Sequence, residues 1–358
     1  MTEKTQKYSI EQMLTNDEID KLQAECLSMS SEKTGKYFFV KSDNKFTRTA
    51  RILQAIRRYE SGAKGGFFTQ KGIKHFHPNL SLEGEKLGCN FLDYSIFEYA
   101  KSRVMNKKKY ETINADRLFN NFLSSQPMAF NLFCPLQQIV ESEDGQRQLA
   151  EVIRNIVDEE NRLKIDRITR VGIEFIPEYY MDCLNDKTAM DACFRYITLD
   201  GREGLIAIET KYTDSLGTNQ ASNPERAKEI ATNCAEVSKI FTKEGKKQIE
   251  NGKLQLSQLY RNFLLTETVR WHEHLDDSMS IVIAPKRNTS NKKEKAELMN
   301  IIKDEYKYKF KSIDLEAFVS GLISQFPNND IFKKFEKRYL DFELAERVEN
   351  RLYSMSEK

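Results

Sequence analysis

Residues 205–214 read LIAIETKYTD and follow a second apolar stretch, TAMDACFRYI at 188–197, across the turn sequence LDGREG. Side chains alternate along a strand, so Glu209 and Lys211 face the same way near its end. A buried strand does not normally end in a carboxylate and an ammonium group on one face. The pair therefore marks the end of this strand as a candidate site.

An Asp-Gly turn at 200–201 predicts a two-residue hairpin connection between the two apolar stretches. The numbers of facing residues then sum to about 401, which places Asp191 across from Thr210. The same end of the hairpin carries Glu209 and Lys211. We therefore expect two carboxylates and one lysine to converge there.

This trio has a chemical use at a phosphodiester. Two neighbouring carboxylates repel each other, and one takes up a proton unless a cation lies between them. Asp191 and Glu209 could hold Mg²⁺, or Mn²⁺ in its place, with the carbonyl of Thr210 as a third ligand. Lys211 would orient or activate the attacking water, or neutralise charge in the transition state of hydrolysis. The alternative is a partly exposed salt bridge between Lys211 and its two acids.

Apolar periodicity around the hairpin predicts an α/β fold with a central mixed sheet. The predicted core elements are an amphipathic helix, three strands, two helices and a strand, over 144–163, 171–180, 188–197, 205–214, 224–242, 253–270 and 278–285. We expect this core to occupy 121–298, between a mostly helical, basic N-terminal region at 1–120 and a helical extension at 299–358. A helix is predicted over 1–30, and the glycine-rich SGAKGGFF at 61–68 is interpreted as a connection.

The charge of the chain is unevenly distributed. The net charge is only +2, but residues 31–74 carry eleven Lys and Arg against three Asp and Glu, and seven Phe and Tyr side chains lie among them. Basic and aromatic residues together can bind a phosphate backbone. We predict that four arginines of this region grip nucleic acid, namely Arg48, Arg51, Arg57 and Arg58. The alternative is a solvated charged face.

Composition indicates a protein of the cytoplasm. No run of residues approaches the roughly 18 apolar residues of a membrane span, and the N-terminal sequence MTEKTQKYSIEQML lacks the apolar segment of a signal peptide. The six cysteines form no CxxC pair, which suits reduced thiols. The four histidines, in two His-X-His pairs at 75–77 and 272–274, do not have the spacing of a zinc site.

Asp191 followed by Glu209-Thr210-Lys211 on the next strand resembles the PD-(D/E)XK nuclease superfamily, whose core is ordered helix, three strands, helix, strand. The resemblance implies a restriction-endonuclease-like fold; Met190 replaces the family's Pro, which is not a ligand. Four longer stretches resemble a bacterial group described as restriction endonucleases, namely LSSQPMAFNLFCPL (123–136), NDKTAMDACFRYI (185–197), IAIETKYTD (206–214) and QLYRNFLL (258–265). The similarity spans roughly 85–285 and implies a magnesium-dependent endonuclease acting on duplex DNA in restriction or other anti-phage defence.

The resemblance also implies roles for residues outside the trio. The family's accessory acid on the preceding element could be Glu174 or Glu178, and we favour Glu178 because its strand ends near Asp191. Gln258 and Arg261 lie three apart on one helical face. In the resembled group this helix packs beside the metal edge, which implies that both position phosphate or water. Otherwise they are ordinary polar residues of a helix surface.

Other functions fit the same pattern less well. The alternatives are a nuclease that cleaves RNA, a nucleic-acid-binding module that does not cut, and a protein–protein scaffold. The intact acidic and lysine trio argues against the last two. Cutting both strands of a duplex usually needs two active sites, which favours a homodimer. No motor or methyltransferase motif is visible, so translocation or protective methylation would come from separate defence proteins.

Overall fold

The computed structural model describes residues 43–63, 65–70, 73–80, 82–214, 223–253 and 257–356. The helix predicted over 1–30 lies outside these residues. The elements of the chain are, in order, α1 (Lys45–Glu60), β1 (Gly65–Gln70), β2 (Ile73–Leu80), α2 (Leu82–Lys86), α3 (Tyr94–Met105), α4 (Ala115–Asn120), α5 (Ser125–Ile139), α6 (Glu143–Ile156), β3 (Ile165–Phe175), β4 (Met190–Thr198), β5 (Glu203–Thr210), α7 (Pro224–Asn233), α8 (Ala235–Ser238), α9 (Lys243–Glu250), α10 (Gln258–His272), β6 (Asp277–Ala284), α11 (Lys292–Ile301), a 3₁₀ turn (Asp304–Lys309), β7 (Phe310–Asp314), α12 (Leu315–Gln325), α13 (Asp330–Leu340) and α14 (Phe342–Ser356).

The central sheet has five strands in the order β3-β4-β5-β6-β7. The first three strands pair antiparallel, and β6 and β7 add parallel strands beside β5. The predicted order of helix, three strands, helices and strand is present from α6 to β6, so the α/β class with a mixed sheet is confirmed. Strand β7 was not expected, because the tail from 299 was predicted to be helical.

The hairpin between β4 and β5 differs from the prediction by one position. Thr198 and Arg202 close the turn through the Thr198 N–H, which donates to the Arg202 carbonyl at 2.9 Å, so three residues lie between them. The numbers of facing residues sum to 400, as in the pair Ala192 and Ile208. Continued by one position, this register sets Asp191 opposite Glu209, whose side chains then share a face of the sheet.

Both faces of the sheet are covered, which explains the nearly continuous apolar run of β5. Ile206 and Ile208 face a core that includes α5 and α6, whereas Leu205 and Ala207 face a second core that includes α7 and α10. Alternation therefore points Glu209 and Lys211 toward α10.

The predicted domain boundaries at 120/121 and 298/299 do not divide the described residues into separately packed units. One core cluster contains Ile52 from α1, Phe130 from α5 and Phe335 from α13. The end of the glycine-rich segment interpreted as a connection belongs to β1, which pairs antiparallel with β2. Within the described ranges, no helix is long and apolar enough to cross a membrane.

Candidate active site

Three acidic side chains come together at one edge of the sheet. Because β3, β4 and β5 run antiparallel in turn, the end of β3, the start of β4 and the end of β5 share that edge. They carry Glu174, Asp191 and Glu209, respectively. The register puts Asp191 and Glu209 on the face toward α10, and Glu174 lies close enough to feel both of their charges. The topology thus assembles an acidic cluster from residues up to 35 positions apart.

Asp191 is held by the next strand. Its carboxylate oxygen Oδ2 accepts the backbone N–H of Thr210 at 2.7 Å and the Thr210 hydroxyl at 2.8 Å. The Thr210 side chain is fully buried. Two hydrogen bonds from one buried residue fix the direction of the Asp191 carboxylate.

Glu209 and Lys211 form a buried network with α10. Lys211 Nζ donates to Glu209 Oε1 and, at 3.1 Å, to Gln258 Oε1. Asn262, one helical turn beyond Gln258, donates from Nδ2 to Glu209 Oε2. Glu209 and Lys211 form the ion pair that the salt-bridge alternative predicted. They are only 2% and 5% exposed, so this pair is buried rather than partly exposed.

Glu174 completes the cluster from a distorted backbone. Its φ of 50° lies in the left-handed region, which is unfavourable for a residue with a side chain. The Arg103 guanidinium on α3 donates to the carbonyls of Ile173 at 2.6 Å and Glu174 at 3.3 Å, and so supports this conformation. Gln126 Nε2 donates to Glu174 Oε1 at 2.8 Å and orients the carboxyl group.

The cluster has more acid than its one lysine can neutralise. Burial, reinforced by the charge of Asp191, raises the pKa of Glu174 to about 8 and that of Glu209 to about 7. Burial also raises the pKa of Asp191, against the charge of Lys211. Burial disfavours the Lys211 ammonium, but Glu209 and Asp191 outweigh it and raise the pKa of Lys211. Such shifts are typical of a carboxylate cluster whose charge a bound cation would balance.

The donor set fits a hard divalent cation, because it consists of carboxylate oxygens without sulfur or imidazole. Asp191 and Glu209 are the residues that would hold the ion, and Glu174 lies beside them. Among the described side chains, no three His, Cys, Asp or Glu already surround a common point. Glu209 is turned toward Lys211 and Asn262, so holding an ion would require its carboxylate to shift.

Glu178, the favoured accessory acid, is not in the cluster. Its side chain is 73% exposed and pairs with Lys108. Glu174 takes the place beside Asp191, which corrects the preference for Glu178. The signal that could have identified it is Pro177, because proline has no N–H for a sheet ladder and so favours a strand that ends before it.

The helix α10 contributes a different residue from the one predicted. Gln258 reaches Lys211 as expected, but Arg261 lies beside the loop before β4, with its guanidinium 3.5 Å from Asp186 and 3.4 Å from the Thr188 hydroxyl. Asn262, four positions from Gln258, was missed although that spacing shares a helix face. No local sequence pattern indicates that Gln126 and Arg103 contact the site. Both lie on helices packed against the sheet.

The four arginines of α1 do not form a phosphate grip. Arg48 pairs with Glu349 at 2.7 Å and Arg51 with Asp43 at 2.6 Å. Arg57 pairs with Asp341 at 2.9 Å and also with Glu60, and Arg58 is only 3% exposed. These ion pairs and this burial contradict the prediction that the four arginines bind nucleic acid. The charges instead help to hold α1 against the rest of the fold.

The raised pKa of Glu174 predicts a pH-dependent stability of the metal-free protein. The folded pKa exceeds the unfolded one, so the protonated carboxyl stabilises the fold at low pH and this contribution is lost as pH rises toward about 8. With EDTA present, we expect the wild type to lose on the order of 3 kcal/mol more unfolding free energy than Glu174→Gln between about pH 5 and about pH 8.

Urea denaturation across that range measures the difference. Glu178→Gln is the matched control, because the pKa of Glu178 is lowered by Lys108 and lies wholly below the window. Its pH dependence should equal that of the wild type. A Glu174→Gln curve parallel to the wild type would show that Glu174 is not the titrating acid.

Comparison with known proteins adds an independent finding. The family model of the PD-(D/E)XK nuclease superfamily matches residues 41–341, which include α1, the whole central sheet and α13. No curated protein matches the chain. No solved structure matches it.

Proposed function

The chain belongs to the PD-(D/E)XK nuclease superfamily, and on that premise we propose that it is a magnesium-dependent endonuclease that hydrolyses phosphodiester bonds in DNA. Members of this superfamily typically use divalent metal ions. The observation that carries the proposal is the convergence of Asp191, Glu209 and a buried, charged Lys211 at one sheet edge. The four stretches that resemble a bacterial group of restriction endonucleases support DNA as substrate and a role in anti-phage defence.

Asp191 and Glu209 are assigned as metal ligands, with the Thr210 carbonyl as a further donor. A divalent ion held there would act as a Lewis acid on the phosphodiester and lower the pKa of water. The Thr210 hydrogen bonds keep Asp191 directed, and Asn262 orients Glu209 through its Nδ2. Asp191 is therefore preorganised, whereas the Glu209 carboxylate has to turn away from Lys211 and Asn262 to reach the ion.

We assign Lys211 the role of contacting the attacking water or the phosphate rather than that of abstracting a proton. Its pKa is raised, despite burial, by Glu209 and Asp191, so it stays an ammonium group and cannot accept a proton. A lysine has three N–H donors. Glu209 and Gln258 use two of them, which leaves one to orient the attacking water or to stabilise negative charge on the phosphate. Gln258 fixes the direction of that third donor.

The test is incubation of the purified chain with supercoiled plasmid, linear DNA and RNA, with Mg²⁺, with Mn²⁺ and with EDTA. We expect Mg²⁺-dependent conversion of the plasmid to open and linear forms, Mn²⁺ in partial substitution, and no cleavage in EDTA. Cleavage of RNA alone would show that the substrate is RNA and not DNA. Intact nucleic acid with either metal would contradict the proposed activity.

A further inference from the structure

A basic residue outside the predicted set lies near the carboxylate cluster. Arg117, on α4, places its Nη2 3.5 Å from Asp214 Oδ2. The Arg117 side chain is 50% exposed and that of Asp214 is 41% exposed. An ion pair between partners this exposed adds little stability, so a phosphate could readily displace the Asp214 carboxylate from Arg117.

The position of Arg117 is tied to the site through α4. Asn114 caps the start of this helix and donates its backbone N–H to Gln126 Oε1 at 3.3 Å. Gln126 in turn donates to Glu174. Burial raises the pKa of Asp191, and the charges of Lys211 and Arg117 oppose that rise. The positive charge of Arg117 therefore acts on Asp191, which is an assigned metal ligand.

Asp214 is tied to the site from the other side. It lies three residues after Lys211, and its backbone carbonyl accepts from Asn288 Nδ2 at 3.1 Å. Its carboxylate also lies 3.4 Å from the Ser125 hydroxyl, at the start of α5. The carboxylate thus occupies a place between a guanidinium and a hydroxyl group, which are both groups that bind phosphate oxygens.

We propose that Arg117 binds a backbone phosphate of the nucleic acid next to the one that is cleaved, and that Asp214 holds the guanidinium in place until substrate displaces it. This inference rests on the proposed nuclease function. It gives the substrate backbone a more accessible contact than the arginines of α1, whose side chains are mostly buried whereas that of Arg117 is half exposed.

The experiment measures binding of a fluorescein-labelled DNA duplex by anisotropy over a series of salt concentrations in EDTA. We expect Arg117→Met to weaken binding about tenfold and to reduce the slope of log Kd against log salt by about 0.9. Arg117→Lys should keep the slope. Asp214→Asn should bind several-fold more tightly, because it no longer competes for Arg117.

Arg147→Met is the matched control. Arg147 on α6 has a similar exposure of 52% and a similar ion pair, with Glu143, but lies near the start of β3, away from the site. It should bind as the wild type does. An Arg117→Met variant with the wild-type salt slope, or weaker binding by Asp214→Asn, would overturn the inference alone. A wild-type chain that neither binds this duplex nor cleaves plasmid in Mg²⁺ would overturn the proposed function and the inference with it.

Discussion

Asp191→Asn and Glu209→Gln are each expected to reduce Mg²⁺-dependent cleavage of plasmid DNA by at least about a thousandfold. A bound metal ion contributes several kcal/mol of transition-state stabilisation, and each 1.36 kcal/mol is tenfold in rate. An amide is a poor substitute for a carboxylate as a ligand to a hard cation. Both variants remove a negative charge that the site must hold to retain the ion.

The same variants should fold. In Asp191→Asn, the amide oxygen takes the position of the carboxylate oxygen Oδ2 and can still accept from Thr210. In Glu209→Gln, the amide oxygen can accept from Lys211, and the Asn262 side chain can turn its Oδ1, which has no hydrogen-bond partner among the described residues, toward the new NH₂ group. Circular dichroism melts in EDTA should therefore show no loss of stability.

The control is Asp200→Asn, the same substitution on the exposed hairpin turn at the opposite end of β5. It should cleave at the wild-type rate. Duplex affinity in EDTA should be kept by all three variants. Full metal-dependent cleavage by either Asp191→Asn or Glu209→Gln would remove that residue from the metal site.

Lys211→Met is expected to be inactive, folded, and stabilised by Mg²⁺ at least as much as the wild type. Methionine keeps the length of the stem and loses the charge. Glu209 then remains buried without its cation, a change that costs on the order of 3–5 kcal/mol when the acid stays ionised. Because the pKa of Glu209 is already raised by burial and Asp191, it can take up a proton and limit this loss. Bound metal would restore the missing positive charge.

Lys211→Arg should also lose most activity. Arginine keeps the charge but spreads it over a planar fork, so it would misplace the water or phosphate that the compact ammonium contacts. Thermal melts with and without Mg²⁺, beside a cleavage assay, test both variants. A Lys211→Met protein that cleaves DNA at near the wild-type rate would mean that Lys211 is only a salt-bridge partner.

Lys309→Met is the matched control for the thermal measurement. Lys309 is another buried lysine, 4% exposed, paired with Glu267 and Asp277 at the opposite end of β6. Its loss should lower the melting temperature in the same way but leave the response to Mg²⁺ and the cleavage by folded protein unchanged. An equal rise in melting temperature with Mg²⁺ in both variants would show that the ion binds elsewhere.

The local sequence was sufficient for the elements that carry the trio. Alternation along 205–214 placed Glu209 and Lys211 on one face, and the buried network with α10 confirms it. The Asn223-Pro224 pair is typical of a helix start, and Asn223 caps α7 there by accepting the Arg226 N–H at 3.2 Å. Each of these depends on dihedral preferences and periodicity within a few residues.

The hairpin register and the accessory acid needed the assembled sheet. The turn around 200–201 accepts either two or three residues, and only the pairing of Ala192 with Ile208 decides between them. Glu174 and Glu178 are both acids near the end of one strand. Packing buries Glu174 beside Asp191 and leaves Glu178 in solvent, and alternation along the strand does not distinguish the two.

Sequence patterns alone thus give the order of helices and strands in the core, the face of β5 that carries the chemistry, and the convergence of Asp191 with Glu209 and Lys211. The packed fold was needed to learn which other residues join them and what the arginines of α1 do. Arg48 meets Glu349 across 301 positions of sequence, and Gln126 meets Glu174 across 48. Periodicity and turn chemistry act between near neighbours, whereas the partner of a charge or an amide depends on which distant elements the core packs together.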